Sequence, residues 1–223
     1  MRKVFGLVCA VLFVAGISSV ARAQNLSFGV KAGLNFANLS PDPAGEYWEG
    51  YYGGYPCSDS YAYAYKITGG IALGGFAVYK VNDNLSIQPE LLYTQKGAKV
   101  EWTDTFKYED WMYQYTETYS GECDVELNYI EIPVLVKYSI SPGGDIRPFV
   151  FGGPALGILM GAKADSEDIK SDCKSTELSI VLGGGVDYGI YSVDLRYSMG
   201  MTKVFNEGDE KNSVISLMVG YKL

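Results

Sequence analysis

The sequence predicts an all-β fold, an eight-stranded antiparallel up-and-down transmembrane β-barrel with four long loops at one end and three short turns at the other. Apolar and polar residues alternate along eight segments, and the connections between the segments alternate between long and short. In residues 127–138, Ile130, Ile132 and Val134 share one face, whereas Glu131 and Lys137 share the other. In a small membrane barrel such an apolar face meets lipid and the charges pair inside.

The first half of the chain contains three predicted strands. The first covers residues 26–36 and the second covers residues 67–81, with a long connection rich in Tyr, Gly and Pro over residues 37–66. Residues 82–84 are Asn-Asp-Asn, which favour a tight turn. The third strand therefore begins at Leu85 and continues through the alternating residues that follow.

The second half contains five further strands. They are predicted over residues 127–138, 146–160, 177–188, 192–199 and 213–223. Long polar connections are expected over residues 103–124, 161–175 and 203–212, and short turns over residues 141–145 and 189–192. Proline removes a donor from a β-ladder. The strand registers therefore stay open around four prolines, Pro89, Pro133, Pro148 and Pro154.

Two observations favour a membrane barrel over a soluble barrel that turns its apolar face inward. The face opposite the apolar one is rich in glycine and in charges of both signs, as expected for a narrow lumen. Four tyrosines also fall on the apolar face at the turn-side ends of alternate strands, where they would form an interfacial aromatic belt. They are Tyr79, Tyr138, Tyr188 and Tyr221.

The N-terminus predicts export. Residues 1–3 include two positive charges, residues 4–17 are apolar, and residues 21–23 read Ala-Arg-Ala, which is typical of a signal-peptide cleavage site. The expected organisation is a signal peptide over residues 1–23 and one barrel domain over residues 24–223, located in the outer membrane. Lipid is then the first partner, and we expect a monomeric barrel.

Composition excludes several functions. Removing residues 1–23 takes away three basic residues and no acid, leaving 15 Lys and Arg against 26 Asp and Glu, a net charge of −11. Such a balance argues against a nucleic-acid partner. The chain has no histidine, which excludes Ser-His-Asp catalysis and most zinc sites. We therefore predict neither an enzyme nor a cofactor.

The charged residues on the inward face define the first candidate site. We expect them to form a buried ion-pair network near mid-barrel, in which Glu131 pairs with Lys31 or Arg196. Its members are Lys31, Glu90, Glu131, Lys137, Asp187, Asp194 and Arg196. Two interpretations stay open, a network that only stabilises the fold and a narrow path for ions.

The long connections define the second candidate site. Aromatic side chains in residues 37–66 and 103–124 can contact a ligand or a partner protein at low entropic cost. The candidates are Tyr47, Trp48, Tyr51, Tyr52, Trp102 and Trp111. Three cysteines, Cys57, Cys123 and Cys173, fall one each in the first three long connections, so at most one pair could form a disulfide.

Five motifs of the chain carry a family resemblance. They are LSIQPELLYTQKG at 85–97, LNYIEIPVLVKY at 127–138, RPFVFGGPALG at 147–157, LGGGVDYG at 182–189 and VDLRYSMG at 193–200. These motifs resemble the "porin family", PorT-like outer-membrane β-barrel proteins of Bacteroidetes-type bacteria. The resemblance implies an eight-stranded outer-membrane barrel but no substrate. The expected function is a structural or surface-interaction role. The alternatives are a narrow porin-like channel for ions or small solutes and a PorT-like accessory of protein secretion.

Overall fold

The structure is a computed structural model that describes residues 25–41, 45–52, 55–109, 112–140 and 144–223. The predicted signal peptide over residues 1–23, with its boundary at residue 24, lies outside this range. Trp111 and the first three residues of the turn predicted over residues 141–145 also lie outside it.

The described residues form eleven strands and one short 3-10 helix. The strands are β1 (Leu26–Ser40), β2 (Glu46–Tyr52), β3 (Tyr55–Lys66), β4 (Thr68–Lys80), β5 (Leu85–Glu109), β6 (Gln114–Ser139), β7 (Ile146–Ala164), β8 (Glu167–Asp168), β9 (Thr176–Tyr188), β10 (Tyr191–Gly200) and β11 (Lys211–Lys222). The 3-10 helix covers Lys170–Asp172. Among the described residues, no helix is both long and apolar enough to cross a membrane.

Eight of the strands form a closed antiparallel ring. Its order is β1, β4, β5, β6, β7, β9, β10 and β11, and β11 pairs with β1 to complete it. Chain neighbours are ring neighbours throughout, because the inserted strands β2, β3 and β8 lie outside the ring. The predicted eight-stranded up-and-down barrel is confirmed.

The four prolines inside strands do not shift the registers. Pro89 lies opposite Val134, Pro133 opposite Ala155, and Pro148 and Pro154 keep one continuous register between β7 and β9. The register of β6 against β7 does shift, but between Asn128 and Tyr129, where the ladder contains a bulge. A bulge inserts one extra residue without requiring a proline.

The two faces of the barrel wall differ in the way that the alternation predicts. Val30, Leu34 and Phe36 of β1 point outward and are each about half exposed, whereas Lys31 and Asn35 are buried inside. The four belt tyrosines are also exposed on the outer face near the turns. Tyr191 is not one of the four predicted belt tyrosines, and its ring centroid lies 5.7 Å from that of Tyr221.

The first two long connections differ from the prediction. Residues 37–66 contain β2 and β3, and residues 103–124 are not a loop, because β5 and β6 continue as a paired ladder as far as Glu109 and Gln114. β3 pairs with the upper part of β5, from Lys66 opposite Lys99 to Cys57 opposite Tyr108. β2, β3 and residues 99–109 and 114–124 therefore form a four-stranded loop-side sheet.

Candidate functional site

The lumen near mid-barrel contains a dense ion-pair cluster. Lys31 Nζ lies 2.9 Å from Glu90 Oε1 and 2.9 Å from Asp194 Oδ2. The Arg196 guanidinium lies 2.7 Å from Glu90 Oε2 and 2.9 Å from Asp194 Oδ1. All four side chains are buried, so two cations and two carboxylates neutralise one another away from solvent.

Two further clusters lie above and below the first. Toward the loops, Lys96 Nζ lies 3.1 Å from Glu131 Oε1 and 3.2 Å from Glu177 Oε2. Toward the turns, Asp187 Oδ2 lies 2.9 Å from Lys137 Nζ and 3.1 Å from Lys222 Nζ. The charged residues thus form three stacked groups, rather than one network at a single level.

The expected partners of Glu131 were wrong. We expected Lys31 or Arg196, but Glu131 pairs with Lys96, a residue absent from the predicted set. Glu177 was also missed as a network member. The inward direction of Lys96 and Glu177 could have been predicted from the sequence. Lys96 lies an even number of residues after Glu90 on the same strand, and Glu177 lies an even number of residues before Asp187, so each shares the inward face of its strand.

The lumen cations also contact aromatic rings. Such contacts are favourable when the site is shielded from water, and here they fill the space beside the charges. The distances to the ring centroid are 5.4 Å for Lys31 and Phe76, 5.2 Å for Lys96 and Tyr129, 3.5 Å for Lys137 and Phe149, and 5.2 Å for Arg196 and Phe151.

An apolar plug fills the loop-side mouth of the barrel. It combines inward residues of the long strands with residues of the two connections that follow β7 and β10, including Cys173 and Val204. Its members are Leu39, Ala98, Val125, Leu127, Tyr129, Leu159, Ala162, Cys173 and Val204. Between this plug and the first ion-pair cluster, a cavity of about 20 Å³ borders Lys96, Glu131 and Arg196. Such a volume holds about one water molecule.

The loop-side sheet has two chemically different faces. Residues opposite one another on paired strands share a face, so the registers assign each side chain. One face, which we call the aromatic face, carries Trp48, Tyr61, Tyr63, Tyr65, Trp102, Phe106, Tyr108, Tyr115 and Tyr119. The opposite face carries mainly Ser, Thr, Ala and charged residues, together with Tyr47 and Tyr51.

The predicted aromatic contact residues therefore lie on two different faces of the loop-side sheet. Trp48 and Trp102 lie on the aromatic face, whereas Tyr47 and Tyr51 lie on the opposite face. The side chain of Tyr52 and the whole of Trp111 fall outside the described part of the chain. The aromatic face also carries Tyr61, Tyr63, Tyr115 and Tyr119, which are 38–53% exposed.

Two glycines let the tryptophan rings lie along the sheet. A Cβ at Gly121 would lie 2.6 Å from the Trp102 ring, its cross-strand neighbour, and a Cβ at Gly50 would lie 2.2 Å from the Trp48 ring. Any other residue at these positions would displace the rings. Both indoles therefore cover backbone with one surface and turn the other toward solvent.

The charges on the aromatic face are all negative. Glu46, Asp59, Asp104 and Glu117 lie on it, and none of its described residues is Lys or Arg. Tyr115 donates a hydrogen bond of 2.6 Å to Glu117. Removal from water, a hydrogen bond with Asp59 and the charge of Asp59 raise the pKa of Asp104. The charges of Asp104 and Asp59 in turn raise the pKa of Tyr61.

All three described cysteines are free thiols, so the structure contradicts a disulfide among them. Cys57 lies opposite Tyr108 and Cys123 lies opposite Val100, eight positions apart along β5. At about 3.3 Å per residue, this spacing far exceeds the Cα separation of up to about 7 Å that a disulfide can bridge. Cys173 lies in the apolar plug.

A family model, the outer membrane protein beta-barrel domain, matches residues 22–206. The chain therefore belongs to this family, and membership implies an outer-membrane location.

Among solved structures, the chain is similar to Neisserial surface protein A, with 17% identity, 90% of this chain and 100% of that chain covered, and a TM-score of 0.49. It is similar to OprG from Pseudomonas aeruginosa, with 12% identity, coverage of 88% and 95%, and a TM-score of 0.45. It is also similar to Ail of Yersinia pestis in complex with the heparin analogue sucrose octasulfate, with 14% identity, coverage of 90% and 100%, and a TM-score of 0.43. A comparison with curated proteins finds no similar sequence.

Proposed function

We propose that this protein is a non-catalytic surface-interaction protein of the outer membrane, and that the aromatic face of its loop-side sheet is the contact surface. The observation that carries this proposal is the exposure of six aromatic side chains on one face, Trp48, Tyr61, Tyr63, Trp102, Tyr115 and Tyr119. Soluble surfaces rarely expose such a contiguous apolar area unless it binds something.

The charges of this face support a positively charged partner. None of the described residues on this face is Lys or Arg, so covering its carboxylates with a neutral surface would remove water without compensation. A guanidinium group would stack on the flat indole of Trp102 and pair with a carboxylate such as Asp104. The partner is therefore an arginine-rich polypeptide segment.

The alternative of a narrow channel receives less support. The lumen is filled by ion pairs, rings and the apolar plug. The cavity beside Lys96, Glu131 and Arg196 has a volume of about 20 Å³, and the cavity beside Lys137 and Asp187 has a volume of about 50 Å³. A hydrated ion needs a continuous path, and eight strands enclose little space beyond their side chains.

The assignment of the chain to a particular group within the outer-membrane barrel family rests on its sequence motifs. Residues 85–97 and 127–138 resemble PorT-like proteins of the porin family from Bacteroidetes-type bacteria, and we place the chain in that group. In this proposal residues 1–23 are removed on export, the barrel over residues 24–223 is a monomer, and lipid surrounds it. A role as an accessory of secretion would use the same aromatic face.

Binding of a fluorescein-labelled nona-arginine peptide tests the proposed contact surface. The purified barrel is kept in micelles of a non-ionic oligoethylene glycol detergent, which adds neither charge nor sugar, and anisotropy is recorded. Trp102→Ala and Asp104→Asn should each weaken binding by roughly fivefold to thirtyfold, since cation–π and charge-assisted contacts contribute about 1–2 kcal/mol each. Tyr47→Ala, on the opposite face, is the matched control.

Salt, pH and a neutral ligand complete this test. Binding should weaken as salt rises because exposed charges are screened. Binding of the peptide requires ionised carboxylates. Because the pKa of Asp104 is raised, this carboxylate becomes protonated at a higher pH than an ordinary aspartate as the pH is lowered, and binding should weaken from that pH downward. Salt-independent binding of cellohexaose in place of the peptide would assign the face to neutral glycans. Equal weakening by Tyr47→Ala would remove the face from the proposal.

A further inference from the structure

A second surface feature lies on the outer wall of the barrel, away from the loop-side sheet. It is an open groove of about 970 Å³ at the loop-side end of β10, bounded by the start of β9, the start of β11 and the connection between β10 and β11. Its charged lining residues are Lys174, Lys203, Lys211 and Asp209. We call it the lysine groove.

The lower part of the lysine groove belongs to the apolar outer wall. Tyr197, Met199 and Met201 line it and are 42%, 42% and 49% exposed. Tyr197 and Met199 continue the outward alternation of Leu195, and Tyr197 shares a hydrogen bond of 3.0 Å with Ser213. These side chains lie at the loop-side end of the wall, opposite the tyrosine belt. This part of the groove therefore contacts acyl chains where the wall meets the membrane interface.

The upper part of the groove is positively charged. Lys174, Lys203 and Lys211 are all exposed. Lys203 pairs with Asp209, and the hydrogen bond and charge of Lys203, together with the charge of Lys211, lower the pKa of Asp209. Neither Lys174 nor Lys211 forms an ion pair with a described residue. Three lysines against one aspartate give the groove a net charge of +2, although the whole chain has a net charge of −8.

Positive charge immediately beyond an apolar wall matches one kind of ligand. The apolar band of a barrel ends at the headgroup level of the bilayer, and lysines there attract anionic headgroups. A phosphate group would lie among the lysines while the attached acyl chains pack along Met199, Met201 and Tyr197. Neither a free anion nor an uncharged lipid would use both parts of the groove.

We propose that the lysine groove binds the phosphorylated headgroup of an outer-leaflet glycolipid of the lipid A type. The bound lipid would cover the side of the barrel where the wall is shortest at the loop-side end. On this side β10 ends at Gly200, whereas β5 and β6 continue beyond the barrel. This site is independent of the aromatic face, and either proposal can fail without the other.

Lipid retention by the intact barrel tests this site. The probe is diphosphorylated lipid A, titrated into the protein in non-ionic micelles and counted by native mass spectrometry. The wild-type protein should bind it at least tenfold more tightly than the same glycolipid without its phosphates. Joint replacement by Lys174→Gln, Lys203→Gln and Lys211→Gln should remove that preference, because each lysine near a headgroup contributes about 1 kcal/mol.

The matched control changes the same total charge elsewhere. Lys66→Gln, Lys99→Gln and Lys107→Gln together lie on the loop-side sheet and should leave lipid binding within about twofold of wild type. Heat-dependent gel migration of each variant verifies that its barrel is folded. Equal binding of the dephosphorylated glycolipid, an equal loss in both triple variants, or displacement of the lipid by equimolar inorganic phosphate would overturn the proposal.

Discussion

At the residue scale, the lumen is organised around cations that contact carboxylates and an aromatic ring at the same time. Arg196 illustrates the arrangement, because its guanidinium reaches Glu90 and Asp194 and its carbon lies 5.2 Å from the centroid of the Phe151 ring. Removing one member of such a buried group leaves a remaining charge buried, with neither a partner of opposite charge nor water. The lumen charges are therefore interdependent.

Replacing Arg196 should measure this dependence. Arg196→Met keeps most of the volume but leaves Glu90 and Asp194 with Lys31 as their remaining cation, and we expect a loss of about 3–5 kcal/mol in the free energy of unfolding. Urea unfolding from lipid vesicles provides the measurement. Lys66→Met is the control, since its pair with Glu101 is 53% and 49% exposed and contributes at most about 1 kcal/mol. Equal small losses would contradict the account of the lumen.

The sequence predicts individual lumen residues better than their partners. Parity along a strand identifies Lys31, Glu90 and Arg196 as inward. Pairing across the lumen depends on how the strands are staggered around the ring, which a single sequence does not encode locally. That is why Glu131 was given the wrong partners and Lys96, near the end of the predicted strand, was overlooked.

At the element scale, the loop-side sheet is the part of the fold that the alternation of apolar and polar residues does not predict. The membrane strands were found because one face is aliphatic and the other is polar or glycine. In β3 and the upper parts of β5 and β6, one face carries tyrosines and the other carries Ser, Thr or charged residues, so neither face is aliphatic. Such a pattern is typical of loops as well as strands, and only long-range pairing distinguishes them.

Gly97 marks the junction between the barrel and this sheet. Its φ is +131°, and a Cβ there would lie 1.9 Å from the carbonyl oxygen of Val125. We expect Gly97→Ala to destabilise the pairing of β5 with β6 by about 1–3 kcal/mol. Hydrogen exchange should then accelerate over residues 99–109.

Gly69→Ala is the control for this junction, because a Cβ at Gly69 has no neighbour within 4 Å. It should leave exchange in the loop-side sheet unchanged. Unaltered exchange in Gly97→Ala would mean that the sheet does not depend on the conformation of residue 97.

At the scale of the whole molecule, the barrel that stabilises the fold is separate from the loop-side sheet that we propose as the contact surface. The ring of eight strands, with lipid-facing aliphatic residues and a lumen filled by charge pairs and an apolar plug, supports the loop-side sheet. The architecture could be predicted because strand alternation and connection lengths are local features. The position of the plug could not, since it combines residues from β1, β5, β6 and β7 with two connections.

The central claim is that the barrel is a closed support and that function lies on its surface. Planar-bilayer recording of the purified, folded protein tests it most directly. We expect a current indistinguishable from that of a protein-free bilayer, because ions have no continuous path past Arg196, Lys96 and the apolar plug. Discrete conductance steps that change in amplitude when Arg196 is replaced by methionine would contradict this account.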